Sequence, residues 1–155
     1  MSKVPVTVAV ITKNEENNID GCLSSVHGWA DEIVVVDDES QDETVAIARR
    51  FTKYIFQRKM DNEGRHRNWA YAQARNPWVL SLDADEMVSP ELRQEITHAL
   101  QNGSSFHAYS IPLRNYIGNY WVKYSGWYPA GKLRLFMKDR FKYEEVEVHP
   151  RVFLE

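Results

Sequence analysis

Three short apolar runs, each breaking off into a polar cluster, constrain the fold of this 155-residue chain more than any other feature. Val4 to Ile11 is β-branched almost throughout and stops at Thr12-Lys13-Asn14-Glu15. Glu32 to Val36 stops at Asp37-Asp38-Glu39-Ser40, and Trp78 to Leu82 stops at Asp83-Ala84-Asp85-Glu86. Runs of this length and composition read as strands covered on both faces. A carboxylate cluster at a strand end repels itself unless something positive offsets it.

The segments between the runs read as helices. Ile19, Cys22, Leu23 and Val26 fall at i, i+3, i+4 and i+7, one apolar stripe, and Gly28 ends it. Ser40 with Glu43 predicts a capping box, followed by the stripe Thr44, Ile47, Ala48 and Phe51. Tyr54-Ile55-Phe56 reads as a further short strand. Asp61 to Ala74 reads as loop then helix, broken by Pro77, with Arg65, His66 and Arg67 near its start. Ser89-Pro90 predicts an N-cap with proline at the first helical position. Leu92, Ile96 and Leu100 carry that helix to a stop at Asn102-Gly103.

Strand and helix alternating over short connections implies parallel pairing with right-handed crossovers, and hence an α/β sheet. After Gly103 the pattern changes. Tyr109, Ile111 and Leu113 alternate, as do Leu133 and Leu135, which predicts antiparallel strands. Tyr116 to Gly131, dense in aromatics, fits no single element. Sugar stacking, a membrane-facing patch and core packing are all compatible with it. The expected organisation is one domain, an α/β half at 1–103 with an elaboration at 104–155.

Composition narrows the function classes. A net charge of −3 gives no basic excess, so nucleic acid is not expected as a partner. Cys22 is the only cysteine, which rules out a disulfide framework or a zinc cluster and suggests a reducing compartment. The N-terminus lacks the form of a signal peptide, and no apolar run approaches the ~20 residues of a membrane span.

In open α/β sheets ligands bind outside the carboxyl ends of the strands, and parallel pairing puts all three polar clusters on that edge. Oxygen-rich clusters suit a hard divalent cation, which often brings a substrate phosphate with it. Arg65 and Arg67 are candidate anion donors, so a metal-bound diphosphate would fit between acids and arginines. Paired acids after a strand also serve phosphoacceptor receiver domains. That arrangement needs the pair after the first strand, where this chain has Thr12-Lys13-Asn14.

Four pieces now carry a family resemblance: Val-Ile-Thr-Lys-Asn-Glu-Glu, Ile-Val-Val-Val-Asp-Asp-Glu-Ser-Gln-Asp-Glu-Thr, Gly-Arg-His-Arg-Asn-Trp-Ala and Leu-Ser-Leu-Asp-Ala-Asp-Glu. In that order and spacing they resemble the inverting glycosyltransferases of family 2, which have the Rossmann-like GT-A fold. The lysine in Thr-Lys-Asn-Glu-Glu and the later Gly-Trp-Tyr-Pro followed by Lys-Leu-Arg-Leu-Phe look like the bacterial branch that builds lipopolysaccharide core and other envelope glycans. Members are usually longer, and this chain stops within a strand-like stretch at Arg151 to Glu155, so a shortened form is expected.

The resemblance implies a nucleotide-sugar donor bound by the half at 1–103, a glycan or glycolipid acceptor on the side of the elaboration at 104–155, and Mg²⁺ or Mn²⁺ as cofactor. It also implies a cytoplasmic enzyme at the inner face of the cytoplasmic membrane, peripherally associated with it. By resemblance Thr12, Asn14 and Glu15 would line the base and ribose, and Asp38 would accept a hydrogen bond from the base. Asp37 would order the loop, and Arg67 would contact the diphosphate or base. Asp83 would face the ribose and Asp85 would hold the metal.

Some relatives place a glutamine ligand where this chain has Met87, so the resemblance makes the late His149 the candidate second ligand. A glutamate often follows that histidine in the envelope branch, but Pro150 stands there. Inversion needs a carboxylate base, for which Glu147 is the nearest candidate, with Glu145 and Glu86 behind it. Arg134 could add a phosphate contact, although an arginine on an edge strand is ordinarily a solvated charge. Trp121, Trp127 and Tyr128 are candidate sugar-stacking groups. The missing glutamate leaves open a second reading, a nucleotide-sugar-binding module without turnover.

Overall fold

The computed structural model describes residues 2–124, 126, 128–147 and 149–155. The first half alternates as the periodicity predicts. Strands β1 (Val4–Thr12), β2 (Ala30–Asp37), β3 (Ile55–Gln57) and β4 (Trp78–Asp83) are separated by helices α1 (Ile19–Ser24), α2 (Thr44–Ala48) and α3 (Glu63–Ala72). Helix α4 (Pro90–Gln101) follows, then β5 (Ala108–Leu113), a hairpin of β6 (Tyr116–Ile117) and β7 (Tyr120–Trp121), and β8 (Ala130–Met137). A 3₁₀ turn leads to β9 (Phe141–Tyr143), which pairs antiparallel with β10 (Val152–Leu154).

The central sheet has the order β3-β2-β1-β4-β8-β5. Its first four strands are parallel, while β8 runs antiparallel to both β4 and β5. The antiparallel expectation for the second half holds, and β8 lies inside the sheet rather than beside it. Alternate residues of β1 explain its unbroken apolar sequence. Val6, Val8 and Val10 face a core shared with α1 and α4, while Ala9 joins Val34, Ala70, Tyr71 and Phe136 on the other face. On that second face the Phe136 and Phe141 rings stack at 3.7 Å between centroids, tying β9 to the sheet.

Local signals behave differently at different helices. The Ser89 side chain accepts from Leu92 N at 3.2 Å, with Pro90 opening α4 as expected. The Ser40–Glu43 capping box does not form. Glu43 is itself the N-cap of α2 and its side chain caps nothing, while Asp42 Oδ1 accepts from Thr44 N at 3.0 Å. Ser40 Oγ is engaged instead by Asn14 N at 2.8 Å, because two loops meet there.

Helix α3 begins with Asn62, whose side chain accepts from Arg65 N. Its Gly64 sits so close to the 144–146 segment that an added Cβ would lie 1.8 Å from the Glu144 carbonyl oxygen. Only a residue without Cβ fits there.

Candidate functional site

Parallel pairing brings the three strand ends into direct register. Thr12 is paired with Asp37, and Ile11 with both Val36 and Asp83, so the polar clusters share one edge. The loops after β1 and β2 are clipped to each other. Gln41 N donates to Asn14 Oδ1 and Glu15 N to Thr44 Oγ1, each at 2.8 Å, and Glu43 N donates to Glu16 Oε2 at 3.0 Å. Asn14 holds a left-handed backbone with φ 50°. Its side chain serves the neighbouring loop, and the Glu15 carboxylate accepts from Asn18 Nδ2 at 2.8 Å.

Beside these loops Asp37 is fully buried, and its Oδ2 accepts from Ser40 N at 3.0 Å, ordering the turn. Among the described residues its other oxygen and the buried Thr12 Oγ1 have no partner. Asp38 accepts from Met60 N at 2.8 Å and from Lys13 Nζ at 2.9 Å. Burial opposes its ionisation, but these two donors overcome that and hold the carboxyl below its ordinary value.

Arg58 Nη1 lies 2.8 Å from Nδ1 of the buried His66. A guanidinium only donates, so Nδ1 accepts and the ring proton lies on Nε2. Burial, then Arg58, lowers the His66 pKa and keeps the ring neutral.

The third strand end is the most densely charged. Asp83 Oδ1 accepts from Arg67 Nη1 and Nη2, each at 3.3 Å, and Asp83 Oδ2 from Arg134 Nη2 at 2.9 Å. Arg67 Nε also donates to Glu63 at 3.0 Å. Arg134 reaches Glu86 Oε1 at 2.5 Å, and Glu86 Oε2 accepts from Asp83 N at 3.0 Å, closing a ring around the turn. Burial opposes ionisation at Asp83, but Arg134 and Arg67 reverse the balance and lower its pKa. At Glu86 burial wins over Arg134 and raises it. The Cys22 thiol, facing the Asp83 carbonyl, is pushed by burial up to about 12 and is inert packing.

Arg134 corrects the expectation of a solvated charge. It is 4% exposed because β8 is a central strand covered on both faces. Its Nε has no partner among the described residues. The unbroken run Leu133-Arg134-Leu135-Phe136-Met137 is the signal that could have shown this.

Other groups that the motifs did not single out are Lys13 as the partner of Asp38, the Met60 amide, and His66. Arg65 stands apart on the surface, paired with Asp61 and Glu145.

Asp85 is exposed, and among the described residues its carboxylate makes no hydrogen bond or ion pair. Glu147 and His149 are exposed too, His149 with a left-handed φ of 52°. Among the described residues no three His, Cys, Asp or Glu side chains gather into a metal-holding group, so Asp85 and His149 are not joined in one. The donor set fits a hard cation in a narrower way. One uncommitted carboxylate beside a basic cluster suits a cation that takes its remaining oxygens from phosphate and water. Trp121 has Arg114 at 4.9 Å and Lys123 at 4.3 Å from its ring, and Trp127 lies outside the described residues.

A doubly wound parallel sheet extended by the antiparallel β8 and by β5 beyond it, with acids on its carboxyl edge and arginines against them, defines a GT-A fold. The chain belongs to Glycosyl transferase family 2, whose profile matches residues 7–153. It is 37% identical over 110 residues to an uncharacterised glycosyltransferase of Rickettsia bellii, covering 70% of this chain and 37% of that protein. With the lipopolysaccharide core biosynthesis glycosyltransferase LpsC of Rhizobium meliloti it shares 25% over 148 residues, covering 92% of this chain and 54% of that protein.

Among solved structures, Staphylococcus aureus TarS 1-349 in complex with UDP-GlcNAc superposes with a TM-score of 0.53 and 27% identity, over 65% of this chain and 32% of that one. The Pyrobaculum calidifontis mannosyltransferase PcManGT, in complex with GDP-Man and Mn²⁺, gives 0.57 and 23%, over 74% of this chain and 37% of that one. The chain therefore spans only part of the length of the proteins it resembles.

Proposed function

We propose that this chain is the donor-binding and catalytic domain of a metal-dependent inverting glycosyltransferase. It would move a sugar from a nucleoside diphosphate to a glycan or glycolipid acceptor of the cell envelope. The observation that carries this reading is the contrast within one turn, where Asp83 is held by two arginines while Asp85 stays uncommitted and exposed. Family membership, the UDP-GlcNAc and GDP-Man complexes of the neighbours and the likeness to LpsC support it.

In this reading Thr12, Asn14 and Glu15 line the base and ribose. Asp38 meets the base once the exposed Lys13 side chain swings aside, the base then taking over as its hydrogen-bond donor. Asp83 orients the ribose and Arg67 faces the diphosphate. Asp85, with His149 as second ligand, would hold Mg²⁺ or Mn²⁺, which supplies positive charge for the departing diphosphate. Glu147 takes the acceptor hydroxyl proton as that oxygen bonds to the anomeric carbon and the bond from carbon to phosphate oxygen breaks. The site would work in the cytoplasm, at the inner face of the membrane.

Titration calorimetry with UDP tests the donor assignment. UDP should bind in the presence of Mn²⁺, and Asp85→Ala should weaken it at least about tenfold, the loss of a ligand to the metal. Equal affinity before and after the substitution would remove Asp85 from the site. A binding module without turnover is favoured by one feature, Pro150 following His149 where a glutamate is expected. Transfer or hydrolysis of any UDP- or GDP-sugar by the purified chain eliminates it.

A further inference from the structure

The hairpin between β5 and β8 stands outside the central sheet. It carries Tyr116, Ile117 and Tyr120, with Tyr124 just beyond, all between 57% and 76% exposed. Large side chains this exposed, grouped within a few residues, mark a surface that meets something.

Three further observations say what it meets. Residues 96–138 contain no Asp or Glu, although the whole chain has net charge −3. The exposed Arg114, Lys123 and Lys132 flank the hairpin, so the surface is aromatic and cationic with no compensating acid of its own. Arg114 and Lys123 both lie over the Trp121 ring, and Tyr128 meets it edge-on at 5.1 Å between centroids. Those contacts occupy the ring that a sugar would stack on, and residues 96–138 supply no carboxylate to bind sugar hydroxyls.

Tyrosine and tryptophan with basic side chains is the composition that sits at the lipid–water boundary of an anionic bilayer. Placement agrees. Leu80 of β4 pairs with Leu135 of antiparallel β8, so the start of β8 and the hairpin lie toward the edge that bears Asp83.

We infer that the β6–β7 hairpin and its flanking cations dock this protein onto an anionic membrane surface, with its carboxyl-edge site facing the same boundary. The surface is amphipathic but shallow. Among the described residues no helix is long and apolar enough to cross a membrane, so this contact is peripheral. Docking needs neither donor nor metal, so its measurement is independent of whether transfer occurs.

Vesicle co-sedimentation tests this. The chain should bind vesicles of phosphatidylcholine with phosphatidylglycerol and not phosphatidylcholine alone, and release at high salt as the attraction is screened. Arg114→Gln and Lys123→Gln should each weaken partitioning about fivefold. Ile117→Asp with Tyr120→Ser should abolish binding while the melting temperature stays unchanged, since both side chains are exposed. Equal binding to both vesicle types, no binding, or variants that bind like the parent would overturn the proposal. So would a soluble oligosaccharide whose binding, rather than vesicle binding, is lost in the hairpin variant. A dimer that dissociates in that variant would instead assign the surface to a second copy of the chain.

Discussion

Arg134 Nη2 lies 2.9 Å from Asp83 Oδ2, a pairing across 51 residues of sequence that fixes the acidic turn after β4. The same guanidinium holds Glu86, which in turn accepts from the Asp83 amide. Asp83, Glu86 and Arg134 therefore form a closed unit, and Asp85 projects from it unpaired among the described residues. In the proposed site this frame would leave Asp85 free for a cation, because Arg134 and the Asp83 amide are already engaged by Asp83 and Glu86.

Replacing Arg134 with methionine should destabilise the domain by about 2–3 kcal/mol, since it leaves two partly buried carboxylates without their counter-charge. The low end of the range applies because Asp83 keeps 34% of its side chain in solvent. The melting temperature should fall by roughly 5–10 °C for a domain of this size. Calorimetric melts check this, and an unchanged midpoint would mean that the pair contributes nothing net.

Stability should fall in acid, with a share that belongs to Asp83. Its folded pKa is depressed, so between that value and the ordinary 3.8 the unfolded chain binds more protons and stability rises with pH. The contribution is present above the ordinary value and is lost as pH falls through the folded one. Glu86, raised by burial, acts in the opposite sense, losing its share as pH rises through its folded value. Asp83→Asn should therefore flatten the acid limb of stability against pH in urea melts. An identical slope in parent and variant would show that Asp83 titrates alike in both states.

Gly64→Ala should cost about 1–3 kcal/mol, because the new methyl group meets the Glu144 carbonyl and must push the 144–146 segment away from α3. The Gly64 N–H to Val146 carbonyl bond, already 3.3 Å, would lengthen. Limited proteolysis should then cut near residue 146 faster than in the parent. Unchanged stability and cleavage would indicate that the segment moves without cost.

Much of the fold is written in local periodicity. The apolar runs of β1, β2 and β4 and the stripes of α1 and α4 each reflect burial within a few residues, so they can be read one at a time. Parallel pairing then follows from short connections, and the shared edge of Thr12, Asp37 and Asp83 follows from parallel pairing. The Ser40–Glu43 capping box failed for the same reason in reverse. Its serine was claimed by Asn14, 26 residues earlier, which no local pattern reveals.

The sequence by itself therefore determined the α/β class, the polar strand ends and the polar side chains available at that edge, because these depend on residue type and spacing. Tertiary structure decided how those side chains are committed. It inserted β8 beside β4, buried Arg134 against Asp83 and Glu86, set Lys13 on Asp38, and left Asp85 uncommitted. Such pairings depend on which distant strands meet and how far burial strips water from a charge, and both are set only when the sheet assembles.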